Sequence, residues 1–216
     1  MQGLVTAAVI NYQTPDLLTD AVRSFRKYYR DVPLIVVENG SMDDSFECIK
    51  TLQAAFPDSI TLIRNAENLY HGPAMDQAIR SSKTPFVYVF DSDTRTKSGG
   101  FLEAMTKMMT EDSMCYAVGK IVTVNRRGFA ATAGTPVPVS AFMLIRKEKY
   151  ELLAPFEHHG LPVLKNCIDA ARNGWRICSY PVEEYVEHFG RGTADRYGYG
   201  LGWRSRIDYL LNRLGL

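Results

Sequence analysis

The sequence predicts an open α/β sheet, mostly parallel, with helices on both faces. Three observations predict it. Short apolar runs recur through the first half: Val5–Ile10, Leu34–Val37, Ile60–Ile63 and Phe86–Phe90. Helical patterns separate them, and alternating strand and helix signals specify right-handed crossovers. Each run stops at polar residues, namely Asn11, Glu38-Asn39, Asn65 and Asp91-Ser92-Asp93. In open α/β sheets ligands bind beyond the carboxyl ends of the strands, so four polar strand ends form one convergent signal.

The elements follow in chain order. Val5 to Ile10 has no polar alternation, as expected of a strand buried on both faces. Asn11 to Pro15 is a turn, and Asp16 opens a helix whose Leu17, Leu18, Ala21, Val22 and Phe25 share a face. The second strand ends in Glu38-Asn39-Gly40-Ser41, and Asp44 or Ser45 is placed to cap the next helix. Pro73 suits the first turn of a helix running to about Ser82. Beyond Asp93 the pattern is less regular. Cys115–Gly119, Ile121–Val124 and Ser140–Ile145 read as strands, Gly128–Pro138 as a loop, and Lys165–Arg172 as a helix closed by Gly174. Arg176 to Tyr180 returns as a strand.

The chain has 216 residues with 25 Lys+Arg against 24 Asp+Glu. That balance disfavours a general nucleic-acid binder, although a local basic patch survives such averaging. At 46% hydrophobic and 23% charged residues the composition is that of a folded globular protein, not a disordered one. No apolar run reaches the roughly 18 residues of a membrane span. Met1 to Thr6 reads as the approach to a strand and not as a signal peptide. Cys48, Cys115, Cys167 and Cys178 form no C-x-x-C pair, so a zinc site is disfavoured and a reducing, cytoplasmic setting is the default.

Asp91-Ser92-Asp93 carries the chemistry. Two carboxylates one residue apart point the same way on an extended backbone. They repel unless a proton or cation offsets them. Mn²⁺ or Mg²⁺ takes oxygen ligands and bridges to substrate phosphates. Taken alone, the motif is equally a solvated acidic turn.

The ordered set of segments resembles a known family. Ala8-Val9-Ile10-Asn11-Tyr12, Ile35–Asp43, the loosened Asn68/Gly72/Ala74 stretch, Phe90–Asp93, Phe142–Arg146, Gly174–Ile177 and Val186–Gly190 follow one another as in GT-A glycosyltransferases of the inverting family 2. The resemblance covers about residues 4 to 193. It implies a three-layer α/β/α sandwich around a mostly parallel sheet, and a metal-dependent transferase moving a sugar from a nucleoside-diphosphate donor to a hydroxyl acceptor. Residues 1–190 would form the GT-A domain, with 1–98 holding the donor and 99–190 the acceptor. Asn11, Tyr12, Glu38, Asn68, His71, Gly72, Asp91, Ser92 and Arg191 are then expected to bind the nucleotide sugar, a UDP-sugar being favoured, with Glu38 facing the base. Asp91, Asp93 and His188 are expected to hold Mn²⁺ or Mg²⁺.

One departure concerns the base that an inverting enzyme needs to take the acceptor proton. The family places it about a dozen residues before the glycine matching Gly174, where this chain reads Gly160-Leu161-Pro162-Val163-Leu164. The nearest titratable candidates are Glu157, His158, His159 and Asp169, with Glu157 and the two histidines preferred because they lie in a loop. A displaced base, a retaining reaction and a lost activity all remain open.

Residues 191–216 carry five arginines against two aspartates, interleaved with Tyr197, Tyr199 and Trp203. Ile207, Leu210, Leu211 and Leu214 form a stripe that packs on the protein itself or lies on an anionic membrane. A lid or a peripheral helix are its two readings. The acceptor is a glycan, a lipid or another hydroxyl compound, with nucleic acid still open. Two competitors stand beside glycosyl transfer: a non-catalytic sugar- or nucleotide-binding module, and a nucleotidyltransferase. The latter calls for a glycine-rich basic loop after the first strand, which Asn11–Pro15 is not.

Overall fold

The computed structural model describes residues 3–157 and 161–190. Strands β1 (Val5–Asn11), β2 (Leu34–Asn39), β3 (Ile60–Asn65) and β4 (Phe86–Asp91) are mutually parallel. Helices α1 (Pro15–Arg26), α2 (Ser45–Ala55) and α3 (His71–Ser81) connect them. Beyond β4 come β5 (Thr94–Thr96), α4 (Phe101–Glu111), β6 (Cys115–Val124), β7 (Thr135–Arg146), α5 (Lys147–Tyr150), α6 (Leu164–Arg172), β8 (Arg176–Ser179) and β9 (Val186–His188). The main sheet has seven strands in the order β3-β2-β1-β4-β7-β6-β8, with β7 antiparallel to both its neighbours. β5 and β9 pair separately as a small antiparallel sheet.

Side-chain chemistry explains the layers. Every residue of β1 and β2 is buried. Val9, Val36, Tyr88 and Phe90 face one helical layer with Phe25 of α1, while Ala8, Val37 and Val89 face the other with Ala74, Met75, Ala78 and Ile79 of α3. Phe25 stacks on Phe90 with ring centroids 5.1 Å apart. Each fully buried side chain of this size contributes about 1.5–3 kcal/mol. Arg146, itself buried, donates to the carbonyls of Met109, Asp112 and Cys115, which satisfies the end of α4 and ties it to the sheet.

The structure departs from the sequence reading in several places. β6 is one strand with an irregularity between Gly119 and Ile121, not two strands. β7 begins at Thr135, inside the expected loop, because Thr135, Pro136 and Val137 pair with Val124, Thr123 and Val122. Its prolines are tolerated there because β4 pairs only with Phe142–Arg146, leaving the other edge free. Asp44 takes the N-cap position of α2, one of the two expected residues, but its side chain makes no capping bond; the Ser45 amide donates instead to Asp43 Oδ1 at 3.0 Å. α4, β5 and β9 were not legible as elements, and three-residue strands are too short to show a period. The expected stripe at 203–214 lies outside the described residues.

Candidate active site

The carboxyl ends of β1, β2 and β4 open on one side of the sheet. Asp91 is the last residue of β4, and Ser92-Asp93 turns the chain into β5. Thr94 Oγ1 closes the turn by donating to the Asp91 carbonyl at 2.7 Å. β5 then pairs with β9 so that Thr94 faces His188. The two carboxylates therefore converge through a turn, not along an extended strand as the sequence suggests. His188 Nε2 lies 3.2 Å from Asp93 Oδ1 and 3.9 Å from Asp91 Oδ2. The arrangement is stitched by backbone: the Phe189 amide donates to the Asp93 carbonyl at 3.0 Å, and the Gly190 amide to Asp93 Oδ2 at 3.2 Å. Phe142 meets the His188 ring at 88°, centroids 6.1 Å apart. His71, the first residue of α3, approaches from the other side, with Nε2 3.2 Å from Asp91 Oδ1.

One ligand atom from each of Asp91, Asp93 and His188 lies within 4.8 Å of the others. Two carboxylates and an imidazole form an oxygen-rich donor set that suits Mn²⁺ or Mg²⁺. Electrostatics mark the same place. The hydrogen bond to Asp93 raises the His188 pKa, burial opposes it, and the Asp93 and Asp91 charges add to the rise. For His71 burial is the largest influence and lowers the pKa, but the Asp91 charge and hydrogen bonding outweigh it, leaving a net rise. Burial likewise works to raise Asp91, and the His71 charge overrides it to hold the carboxyl below its ordinary value. Opposed titratable groups of this kind concentrate at functional sites.

These groups face a cavity of about 530 Å³. Its walls come from Ile10, Tyr12 and Thr14 at the end of β1, from Asn39, Asn68, Tyr70 and His71 between β2 and α3, and from Asp91, Ser92 and Asp93. Ser140, His188 and Gly190 complete the described lining. Of the residues expected from sequence, Tyr12, Asn68, His71, Asp91, Ser92, Asp93 and His188 thus come together. Asn11 sits beneath them, fully buried, accepting from Thr14 Oγ1 at 2.9 Å, and that hydroxyl meets Ser92 Oγ at 2.9 Å.

Glu38 departs from its expected place at the nucleotide base. It is 2% exposed and outside the lining. Its carboxylate accepts from the Ser41 amide at 2.8 Å, and Ser41 Oγ accepts from the Gln13 amide at 2.9 Å. The chain of bonds clamps the loops after β1 and β2. Gly72 is buried against the backbone of Phe156 and Glu157, which brings the exposed Glu157 beside the start of α3. Asp169 is not brought to the cavity: it pairs with Arg172 at 3.1 Å on α6, a helix that packs against β7 and β8. His158, His159 and Arg191 lie outside the described residues. Sequence reasoning missed Thr14, Tyr70 and Ser140. Thr14 follows Asn11 by one turn's span and was open to discovery; Tyr70 owes its place to a backbone φ of +69°, which no side-chain pattern announces.

The sequence model of glycosyl transferase family 2 matches residues 6–163. This chain belongs to that family. Solved structures show the family-2 chain in familiar company at the level of fold. A mannosyltransferase of Pyrobaculum calidifontis, PcManGT, solved with GDP-Man and Mn²⁺, superposes with a TM-score of 0.69 at 21% identity, over 82% of this chain and 54% of that one. TarS 1–349 of S. aureus, solved with UDP-GlcNAc, gives 0.63 at 16% identity, over 85% and 57%. The chain thus spans little more than half the length of either. No curated protein sequence matches this family-2 chain. None of its described helices is long and apolar enough to cross a membrane.

Proposed function

We propose that the chain transfers a sugar from a nucleoside-diphosphate donor, a UDP-sugar for preference, to a hydroxyl acceptor, with a divalent cation at the site. The observation that carries this reading is the convergence of Asp91, Asp93 and His188 from strands distant in sequence at one wall of the cavity. Asp91, Asp93 and His188 would hold Mn²⁺ or Mg²⁺, which supplies charge to offset the departing diphosphate. His71 stands at the amino end of α3, where the helix dipole favours an anion. Its pairing with Asp91 orients the carboxylate toward His188. Ser92 and Thr14 fix the turn through their shared hydroxyl contact. The donor complexes of PcManGT and TarS, which share the fold, support a nucleotide sugar in this cavity.

Asp169 is tied to Arg172 and is set aside as the acceptor's base. Glu157 is retained for that role, since Gly72 holds its backbone beside the cavity wall, and His159 is retained with it. The second reading, a binding module without turnover, draws on one observation: the only carboxylates in the described lining are Asp91 and Asp93. The test is release of nucleoside diphosphate from UDP- and GDP-sugars with MnCl₂ and a panel of glycan, lipid and nucleic-acid acceptors. Transfer that EDTA and Asp93→Asn abolish supports the proposal. Tight donor binding with no transfer to any acceptor favours the binding module, and transfer unaffected by Asp93→Asn and His188→Ala overturns the metal assignment.

A further inference from the structure

A second cavity lies behind His188. It encloses about 550 Å³, a size usual for small-molecule sites. His188 lines it and the cavity of the acidic pair alike, so the imidazole is a wall common to both. Phe142 and Val186, both buried, give it an apolar base together with the half-buried Val139. The frame is fixed by backbone. The Lys97 and Ser98 amides donate to the Tyr185 carbonyl at 2.7 and 3.4 Å, and the Tyr180 amide donates to the Gly119 carbonyl at 2.9 Å. A ligand therefore meets a formed site and does not have to order one.

The charged groups around it select a class of ligand. Lys97 and Lys120 stand against Glu183 and Glu187, two positive charges against two negative. That balance gives a phosphate or carboxylate group no net attraction. His188 is already committed to Asp93. Lys120 Nζ lies 3.3 Å from Glu183 Oε1 in a partly exposed ion pair, weak enough for a ligand to share. Lys97 Nζ donates to the Glu183 carbonyl at 3.4 Å. Glu183 Oε2 is different: it is buried and, among the described residues, has no hydrogen-bond partner. A buried acceptor left unpaired is costly, and a donor from a ligand removes that cost.

Lysine ammonium groups only donate and carboxylates only accept, whereas a hydroxyl does both. A neutral molecule carrying several hydroxyls on a C–H framework therefore satisfies both kinds of group and the apolar base together. We propose that this cavity is a second carbohydrate site, separate from the donor's, that takes a neutral pyranose unit of a glycan through Glu183 and Lys120. It is also separate from Glu157. Phe142 and Val186 pack with Phe25 and Phe101 on one side of the sheet, while Phe156 packs with Met75 and Tyr150 on the other. Sugar binding here requires neither donor nor metal, so the proposal stands apart from the transfer reading.

The test is the Kd of chitotriose, maltotriose and mannotriose for the full chain without nucleotide or metal, followed by saturation-transfer NMR titration and repeated with Glu183→Ala and Lys120→Met. At least one trisaccharide is expected to bind, and each variant to weaken it at least about tenfold, the loss expected when hydrogen bonds to a charged group are removed. UDP with Mn²⁺ is expected to bind all three proteins alike, because neither residue lines the other cavity. That control also shows the variants folded. Where UDP binds none of them, the donor reading fails by itself, and a cooperative thermal transition shows folding instead. Binding of no trisaccharide overturns the proposal, as does binding that a folded variant leaves unchanged, or a preference for inorganic phosphate over all three.

Discussion

A Cβ on Gly72 would lie 2.9 Å from the carbonyl carbon of Glu157 and closer still to its oxygen. Gly72 belongs to the first turn of α3, and the neighbour is backbone, so nothing can swing aside. At an open helical position Gly→Ala stabilises by about 0.5–1 kcal/mol. Here the clash decides the sign. Gly72→Ala is expected to destabilise by about 1–3 kcal/mol, read as a lower urea midpoint, and to weaken transfer more than donor binding, because the displaced segment carries Glu157. A variant as stable as the natural chain would show that the two segments are free to separate.

Asp93→Asn tests the metal site with the least disturbance. The amide oxygen still accepts from the Gly190 amide, while the charge facing His188 disappears. Mn²⁺ affinity, followed by the paramagnetic signal of the free ion, is expected to fall at least about tenfold, the order of loss seen when groups around a metal are removed. The thermal midpoint of the metal-free protein should move little. Undiminished Mn²⁺ binding counts against the site.

The pH dependence has a definite sign. His71 and His188 are raised above 6.5 in the folded protein, so the stability they contribute is fully present below about 6.5 and is lost as pH climbs through their raised values. Asp91 is lowered, so its contribution is present above 3.8 and is lost as pH falls through its folded value. The metal-free protein is therefore most favoured by these groups between 3.8 and 6.5. A cation needs the imidazole neutral, which reverses the trend. The midpoint increase caused by Mn²⁺ is expected to be larger at pH 8.5 than at pH 5.5, and an increase independent of pH would argue that His188 is not a ligand.

Tyr88 holds a hydroxyl that the described residues leave unpaired. The residue is 1% exposed, and among the described residues its buried Oη has no hydrogen-bond partner. Burial drives its pKa well upward, so the group stays neutral. A buried hydroxyl lacking a partner costs about 1–3 kcal/mol. Tyr88→Phe keeps the ring against Phe25 and Phe90 and should raise stability by about 1 kcal/mol, measured by denaturant unfolding. A loss of stability would reveal a partner for the hydroxyl.

What the sequence made legible divides along physical lines. β1 to β4 show themselves because strands buried on both faces must be apolar along their whole length. Asp91, Asp93 and His188 are visible because their chemistry is scarce and their order is that of a family. Glu38 misleads because a carboxylate at a strand end reads identically whether it faces ligand or caps a loop amide. The start of β7 hides because pairing with β6 overrides a loop-like composition. The hydrogen bonds of Asn39 to Asn65 and Asn68 depend on contacts that no local pattern encodes. Asp169 sits near the right place in sequence, but the turn of α6 carries it toward Arg172.

The hairpin partner of β5 has a mechanical meaning. The chain returns to Asp93 at Gly190, 97 residues downstream, where β5 and β9 pair over three residues each and the Phe189 and Gly190 amides add bonds to Asp93. An ion gripped by both ends would act as a clasp closing that whole length of chain. Closing a loop of about 100 residues by a covalent link removes on the order of 4–5 kcal/mol of disorder from the unfolded chain. Occupancy would then govern how readily the second half peels away, so that resistance to proteolysis and competence for chemistry rise and fall together.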